Sequence, residues 1–185
     1  RVSRYSIKKD KLIKDETFDK KSCNEDGNPN CLNMLENKSL IEFLNYSKKN
    51  YPADRYVLIL WNHGGGPTGG YGIEDTLDGG FSMEDISDVL SQADIDHYSL
   101  IGFDACLMGN VEIANTLSQY TDYLIASEES KSAYGWDYTQ FLTELATNPT
   151  VSIERVGKII ADDYIMNNIN SGDTALSFIE TNDEN

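Results

Sequence analysis

The chain has 185 residues, enough for one domain with a sizeable core, and it carries 15 basic against 31 acidic residues. A formal net charge of −16 repels phosphate backbones, which argues against nucleic acid as a partner. Such a surface attracts cationic ligands, although excess acid more often serves only solubility. No apolar segment is long enough to cross a bilayer, so we expect no transmembrane segment.

The chain begins with Arg1-Val2 rather than Met and carries no leader sequence. We therefore expect residues 1–185 to form a single domain taken from a longer precursor. Within it, residues 1–33 predict an N-terminal region made of a short strand near 5–7, a stretch rich in Lys and Asp, and a loop.

The chain has three Cys, too few for a disulfide framework. Cys23 and Cys31 flank a polar segment that is typical of an exposed turn. They either close a small disulfide loop or are two unrelated surface thiols. Cys106 is then the odd thiol, within an apolar strand and turn.

Two continuous runs of apolar, β-prone residues, 56–61 and 98–103, predict strands that are buried on both faces of a sheet. The other predicted elements are, in chain order, a helix from Ser39 to Pro52, a loop over 64–81, a helix with its N-cap at Ser82-Met83-Glu84-Asp85, a helix near 111–117, a strand at 123–127, a helix at 138–146, a longer helix capped by Ser152 and a strand at 175–179. This alternation predicts an α/β sandwich with a mainly parallel sheet.

Each of the two buried strands ends at a reactive side chain that small residues follow. The first strand leads to His63, and the second leads to Cys106. The working groups of parallel sheets gather beyond the carboxyl ends of the strands. We therefore expect His63 and Cys106 to lie at the same edge of the sheet.

These residue types suit nucleophilic catalysis. A turn from strand into helix favours a Cys106 thiolate, because the helix N-terminus stabilises an anion. The His63 imidazole can assist thiolate formation or protonate a departing amine. The glycines from Gly64 to Gly66 leave backbone N–H groups free to point at a developing oxyanion. Taken alone, however, Cys106 equally fits a buried small hydrophobe and His63 a simple turn.

The segments Trp61-Asn62-His63-Gly64-Gly65-Gly66 and Asp104-Ala105-Cys106-Leu107-Met108-Gly109 together resemble the clostripain family of cysteine peptidases. That family is related more distantly to gingipains, legumains and caspases. The resemblance extends from about Met34 to Phe178 and implies a three-layer, caspase-like α/β/α sandwich. It also implies a His63 and Cys106 dyad that acts through a thioester, with the backbone N–H groups of Gly64 and Cys106 as the oxyanion hole.

The resemblance further implies cleavage of proteins or peptides after Arg or Lys, with Asp104 as the acid at the floor of the S1 pocket. The alternative is that Asp104 caps the following helix. The family often has a second acid just before its Gly-Trp pair, where this sequence has Tyr134, and Asp137 is a possible substitute. Trp136 either forms a wall of the S1 pocket or only packs in the core.

Relatives are activated by cleavage at a basic residue between the His and the Cys, but residues 64–105 contain no Lys or Arg. We therefore expect either activity as a single chain or processing at Lys131 or in the Lys-rich N-terminal part. Glu128 and Glu129 end a predicted strand beside the site. Either one of them orients the substrate or the loop, or both are ordinary acids at a strand end.

We expect no required cofactor, although clostripain is associated with calcium. Two acidic clusters, Glu74-Asp75-Asp78 and Asp94-Asp96, lack the spacing of an EF-hand loop and predict solvated loops. His97 beside the second cluster is expected to be a surface or structural residue. The resemblance implies a bacterial protein that is secreted or on the cell surface. The rival functions are an inactive relative that binds basic peptides and a cysteine hydrolase with a non-peptide substrate.

Overall fold

The computed structural model describes residues 2–9, 11–20, 31–72, 79–132, 134–169 and 175–181. The strands are β1 (Val2–Lys8), β2 (Lys11–Lys20), β3 (Val57–Trp61), β4 (Leu100–Asp104), β5 (Tyr123–Ala126) and β6 (Ser177–Glu180). The helices are α1 (Asn37–Asn50), α2 (Gly66–Gly69), α3 (Met83–Gln92), α4 (Val111–Leu117), α5 (Thr139–Thr147) and α6 (Ile153–Asn168).

The central sheet has the strand order β3-β4-β5-β6. Its first three strands are parallel, and β6 runs antiparallel to β5. The register of β3 and β4 pairs Val57 with Leu100 and Trp61 with Asp104, so both strands end at the same edge. The mainly parallel sheet that the sequence predicts is confirmed.

Helices cover both faces of this sheet. Along β4, Ile101 and Phe103 pack with buried residues of α1, α3 and α4, whereas Leu100 packs with α5 and α6 on the opposite face. Because side chains alternate between the two faces of a strand, a strand covered in this way is apolar along most of its length, and in β4 only the last residue, Asp104, is charged. All five residues of β4 are buried. The result is the three-layer α/β/α sandwich predicted from the sequence.

Strand β2 was not predicted, because its segment is rich in Lys and Asp. It pairs with β1 in an antiparallel hairpin. The Arg4 side chain of β1 lies 2.6 Å from Asp15 of β2, and its guanidinium carbon is 3.2 Å from the ring centre of Tyr46 in α1. Hydrogen bonds from Thr17 and Arg4 hold the pKa of Asp15 well below its ordinary value. Charged residues thus form strand contacts that an apolar pattern does not reveal.

The predicted loop over 64–81 contains the short helix α2, and residues 73–78 lie outside the described residues. Tyr71 and Phe81 hydrogen-bond to each other through their backbones, with N–O distances of 2.8 and 2.7 Å. The predicted capping of α3 is present: Ser82 Oγ accepts from Asp85 N, and the Asp85 carboxylate accepts from Ser82 N at 2.9 Å. Cys31 is disulfide-bonded, Cys106 is a free thiol, and Cys23 lies outside the described residues.

Candidate active site

The two turns that follow β3 and β4 are in direct contact. A Cβ atom added to Gly64 would lie 2.2 Å from the carbonyl oxygen of Cys106 and 2.8 Å from Cγ of Met108. Only glycine therefore fits at this position. Because Trp61 is paired with Asp104 at the ends of the two strands, the turns that carry His63 and Cys106 both follow at the same edge. The structure brings the two predicted residues to one edge of the sheet.

His63 is exposed, and its backbone is fixed from both sides. Its N–H donates to Asn62 Oδ1 at 2.6 Å, and its carbonyl accepts from Gly72 N at 2.9 Å. The imidazole ring makes no hydrogen bond to another residue within the described ranges. A ring on a fixed backbone at the end of β3 is available to exchange protons with a ligand.

Cys106 lies on a turn of unusual conformation and is partly exposed. Leu107, next to it, has a φ of 62°, in the left-handed region that bulky residues rarely adopt. The turn is held by Leu107 N donating to Glu129 O at 3.2 Å and Gly109 N donating to Ser127 O at 2.8 Å. Such conformations persist where the surroundings over-determine them, commonly at active sites.

The helix predicted near 111–117 is confirmed as α4, but its N-terminus lies too far along the chain to stabilise a Cys106 thiolate as expected. Helix α4 begins only at Val111, with Asn110 as its N-cap, whose Oδ1 accepts from Ile113 N at 3.1 Å. The left-handed Leu107 and three further residues separate Cys106 from the first residue of the helix. The helix dipole acts only within the first turn, so it does not account for a thiolate here.

Asp104 is buried beside the Cys106 turn and covered by the segment that follows β5. It is 2% exposed, and its Oδ2 accepts from Trp136 N and from Tyr138 Oη, each at 3.1 Å. Gly135 has a φ of 70°, and a Cβ atom there would lie 3.0 Å from Asp104 Oδ2. The segment after β5 thus passes directly over the carboxylate. The alternative that Asp104 caps the following helix is wrong, since Asn110 does so.

A lysine of the chain itself is buried against this carboxylate, in the space between it and the rings of Trp136 and Tyr164. Lys131 Nζ contacts Asp104 Oδ1, and the Lys131 side chain is only 5% exposed. Its ammonium lies 5.9 Å from the ring centre of Trp136 and 5.4 Å from that of Tyr164. Burial lowers the pKa of Lys131 to about 8. Trp136, the predicted pocket wall, therefore lies beside a cation, and that cation is the side chain of Lys131 itself.

The backbone of Lys131 lies against the thiol. Lys131 N donates to Cys106 Sγ at 3.2 Å, and Lys131 O is 4.0 Å from the same sulfur. Lys131 therefore contacts the buried acid through its side chain and the thiol through its backbone. From the sequence, Lys131 is predicted only as a processing site. The feature that points to its contact with Asp104 is that it is the single lysine in the loop between β5 and α5.

The contacts of Asp137 do not support its expected role as a pocket acid. Its Oδ1 accepts from Thr139 N at 2.8 Å, at the start of α5, and its Oδ2 accepts from Asn167 Nδ2 at 3.3 Å. These hydrogen bonds lower its pKa. Tyr138 is the neighbouring residue that reaches Asp104. Tyr134, at the position of the second acid, is 90% exposed.

The other sequence candidates have mainly structural contacts. The Glu129 backbone holds the Cys106 turn, and Glu128 Oε1 accepts from Ser177 Oγ of β6 at 2.8 Å. His97 Nε2 lies 2.8 Å from Asp122 Oδ1 on the surface. Among the described residues, no three His, Cys, Asp or Glu side chains group as metal ligands. The cluster at Glu74-Asp75-Asp78 lies outside that part of the chain.

Solved structures with this fold are C11 cysteine proteases. One is a secreted C11 cysteine protease from Bacteroides thetaiotaomicron in complex with an irreversible peptide inhibitor, with a TM-score of 0.70 and 22% identity over 97% of this chain and 52% of that chain. Another is an inactive zymogen C11 protease from Parabacteroides distasonis, with a TM-score of 0.62 and 23% identity over 97% of this chain and 47% of that chain. The fold is therefore the caspase-like fold of these proteases, as the sequence predicts.

The model of the clostripain family matches residues 4–184, so the chain belongs to the clostripain family, whose members are cysteine endopeptidases. Clostripain of Hathewaya histolytica is 40% identical in a match that covers 44% of this chain and 18% of that protein. The chain thus spans under a fifth of this curated relative and about half of each solved protease. Within the described residues, no helix has the length and apolarity to span a membrane.

Proposed function

We propose that this chain supplies the catalytic residues of a cysteine endopeptidase that cleaves after Lys or Arg. Cys106 is the nucleophile and His63 the general acid and base. The observation that carries the proposal is the buried carboxylate of Asp104, which lies beside the thiol turn and contacts a lysine ammonium. A buried acid beside a nucleophile selects a cationic side chain, because the charge-assisted contact is strong in a dry pocket.

In the proposed reaction, His63 takes the proton of the Cys106 thiol, and the sulfur attacks the carbonyl carbon of the P1 residue. His63 gives that proton to the departing amine as the peptide C–N bond breaks, and a thioester remains on the sulfur. Water then attacks the thioester while His63 takes a water proton; the C–S bond breaks, the acid product leaves and the proton returns to the sulfur. The backbone N–H groups of Gly64 and Cys106 donate to no atom of the described residues and are available to hold the oxyanion.

The occupied pocket means that a substrate must first displace Lys131. The Lys131 N–H points at the sulfur, so its own carbonyl is not held by the proposed oxyanion donors. We propose that this arrangement is a resting state in which Lys131 competes with the P1 residue. The state also makes the Lys131–Ser132 bond the nearest candidate for self-processing.

The test is hydrolysis of matched fluorogenic peptides that differ only at P1, which is Lys, Arg, norleucine or Asp. We expect turnover of the Lys and Arg peptides alone, and its loss in Cys106→Ala and in His63→Ala. Turnover that survives Cys106→Ala contradicts the proposal.

The second candidate is a non-catalytic module that binds basic peptides, and the contact of Lys131 with Asp104 favours it, since the acid holds a cation there with no reaction at Cys106. Basic peptides that bind with no Cys106-dependent turnover would establish this alternative. A cysteine hydrolase that acts on non-peptide esters is distinguished by turnover that is insensitive to the P1 charge.

We also propose that the protein acts outside the cell without a required metal. A secreted protease is among its structural neighbours, although that neighbour shares only 22% identity. Fractionation of the producing cells tests secretion, and recovery only from the cytoplasm would exclude it. Treatment with EDTA tests the metal proposal, and a loss of turnover that calcium restores would contradict it.

A further inference from the structure

The Asp104 carboxylate presents only one oxygen to its pocket. Oδ2 already accepts two hydrogen bonds, from Trp136 N and from Tyr138 Oη. A carboxylate oxygen has about two acceptor positions, so Oδ2 has no strong position left for a ligand. Oδ1 accepts no other side-chain or backbone hydrogen bond within the described residues and contacts Lys131 Nζ.

This asymmetry separates lysine from arginine. A guanidinium binds a carboxylate best through two parallel N–H···O bonds, one to each oxygen. An ammonium is a compact point charge that needs one oxygen. On the basis of the proposed function, we infer that this pocket selects Lys over Arg at P1 and that Tyr138 sets the preference by saturating Oδ2.

The surrounding walls match the same occupant. The Lys131 ammonium is within about 6 Å of the Trp136 and Tyr164 rings, the range of a favourable cation–π contact. Trp136 has no room to retreat: a Cβ atom on Gly102 would lie 2.8 Å from its ring. A longer, planar guanidinium must therefore shift a packed indole or the backbone at Gly135. Lysine enters with neither change.

The mechanism makes Tyr138 a positioning residue, since it acts on the substrate through Asp104. Tyr138→Phe removes one of the two donors to Oδ2 and keeps the ring. The freed acceptor position becomes available to the second N–H of a guanidinium. A purely structural role of Tyr138 would weaken both ligands equally, so the ratio of Lys to Arg affinity is the informative measurement.

The test is a binding titration that does not depend on turnover. Peptides ending in Lys, Arg or norleucine are titrated calorimetrically into the Cys106→Ala protein, where Lys131 competes equally with each. We expect the Lys peptide to bind about tenfold more tightly than the Arg peptide, and this ratio to fall to about one in Cys106→Ala/Tyr138→Phe, as expected for one charge-assisted hydrogen bond. Tyr134→Phe, at an exposed tyrosine, is the matched control and should leave the ratio unchanged.

Binding of the Arg peptide as tight as or tighter than that of the Lys peptide overturns the inference, as does binding of neither. A ratio that Tyr138→Phe leaves unchanged overturns the role of Tyr138. A Lys preference in binding without Cys106-dependent hydrolysis would uphold the inference while the proposed peptidase function fails. The two failures are therefore distinguishable.

Discussion

The ammonium of Lys131 and the carboxylate of Asp104 form an ion pair whose side chains are 5% and 0% exposed. A buried pair gains little over an apolar pair, because both ions lose their hydration, but leaving one ion alone is costly. The pair therefore fixes the position of the Lys131 loop against Asp104 more than it stabilises the fold. Under the proposed function, Lys131 binds the same carboxylate that a P1 side chain needs. The ion pair therefore controls whether a substrate can reach Cys106.

Removal of the resident lysine should open the site. In Lys131→Ala, the side chain that fills the pocket is gone, and we expect a cationic Lys chloromethyl ketone to alkylate Cys106 roughly tenfold faster, for a competing contact of about 1.4 kcal/mol. Mass spectrometry of the labelled protein gives the rate. Lys158→Ala, which removes an exposed lysine paired with Asp162 at 2.6 Å, is the matched control. An unchanged or slower rate in Lys131→Ala would show that Lys131 does not block the pocket.

Asp104→Asn keeps the shape of the pocket floor and removes its charge. We expect kcat/KM for a Lys substrate to fall about tenfold to a hundredfold, because a charge-assisted contact becomes a neutral one. Asp137→Asn is the control: its carboxylate accepts hydrogen bonds from Thr139 N and Asn167 Nδ2, so the variant loses up to about 1 kcal/mol of unfolding free energy and keeps its P1 preference. Equal effects of the two substitutions on P1 preference would indicate that Asp137 also binds the P1 side chain.

Contact between the two turns makes Gly64 sensitive to substitution. In Gly64→Ala, the new Cβ meets the Cys106 carbonyl at 2.2 Å, so the backbone must shift. We expect a loss of about 1–3 kcal/mol of unfolding free energy and a larger loss of turnover, since the shift moves the nucleophile. Urea unfolding and peptide hydrolysis measure the two. Gly69→Ala, where nothing lies within 4 Å, should be close to neutral, and equal losses at both positions would refute the contact.

Stability should depend on pH through Lys131. Burial lowers its pKa to about 8, whereas the unfolded chain holds the proton up to about pH 10.5. Between these values the unfolded state binds more protons, so the contribution of Lys131 to the free energy of unfolding rises with pH. Below about pH 8 the lysine is charged in both states, and its contribution is constant.

We therefore expect the difference in unfolding free energy between the wild type and Lys131→Met to move in favour of the wild type from about pH 8 to about pH 9.5. Urea unfolding at several pH values measures it. The other titrating groups around the ammonium, Asp104, Tyr138, Tyr164 and Cys106, are present in both proteins. A difference that moves in the opposite direction would mean that Asp104 outweighs burial and raises the pKa of Lys131.

The proposed specificity limits the bonds at which this chain can cut itself. Residues 64–105 contain neither Lys nor Arg, so an enzyme of the proposed specificity makes no cut between His63 and Cys106. We expect incubated protein either to stay whole in this interval or to be cut after Lys131 or in the N-terminal Lys-rich part. Intact mass and N-terminal sequencing decide, and a Cys106-dependent cut within 64–105 would contradict Lys and Arg specificity.

The placement of His63 and Cys106 was predictable because it depends on sheet topology. Two buried parallel strands must end at one edge, and their apolar runs are visible in the sequence. The contact of Lys131 with Asp104 was not predictable, since it depends on the path of the loop after β5. Gly135, with a φ of 70°, directs that loop over Asp104. No periodic pattern encodes that path.

Other details depend on equally local contacts. An acid such as Asp137 suits a pocket or a helix start alike in the sequence, and its hydrogen bond from Thr139 N becomes visible only in the structure. The helix near 111–117 was predictable, but the left-handed Leu107 that precedes it was not, since an apolar side chain gives no reason to predict that conformation. In β2, charged residues that pair across a hairpin hide the strand.

Both tryptophans of the chain lie beside the Asp104 site. Trp136 N donates to Asp104 Oδ2, and Trp61 is 69% exposed, with its indole nitrogen 3.5 Å from the point where a Cβ on Gly135 would lie. Tryptophan emission, excited selectively over the 11 tyrosines, is consequently a signal from this site, with no indole elsewhere in these 185 residues to dilute it. Departure of the resident amine would be observable as an emission change in the unlabelled protein.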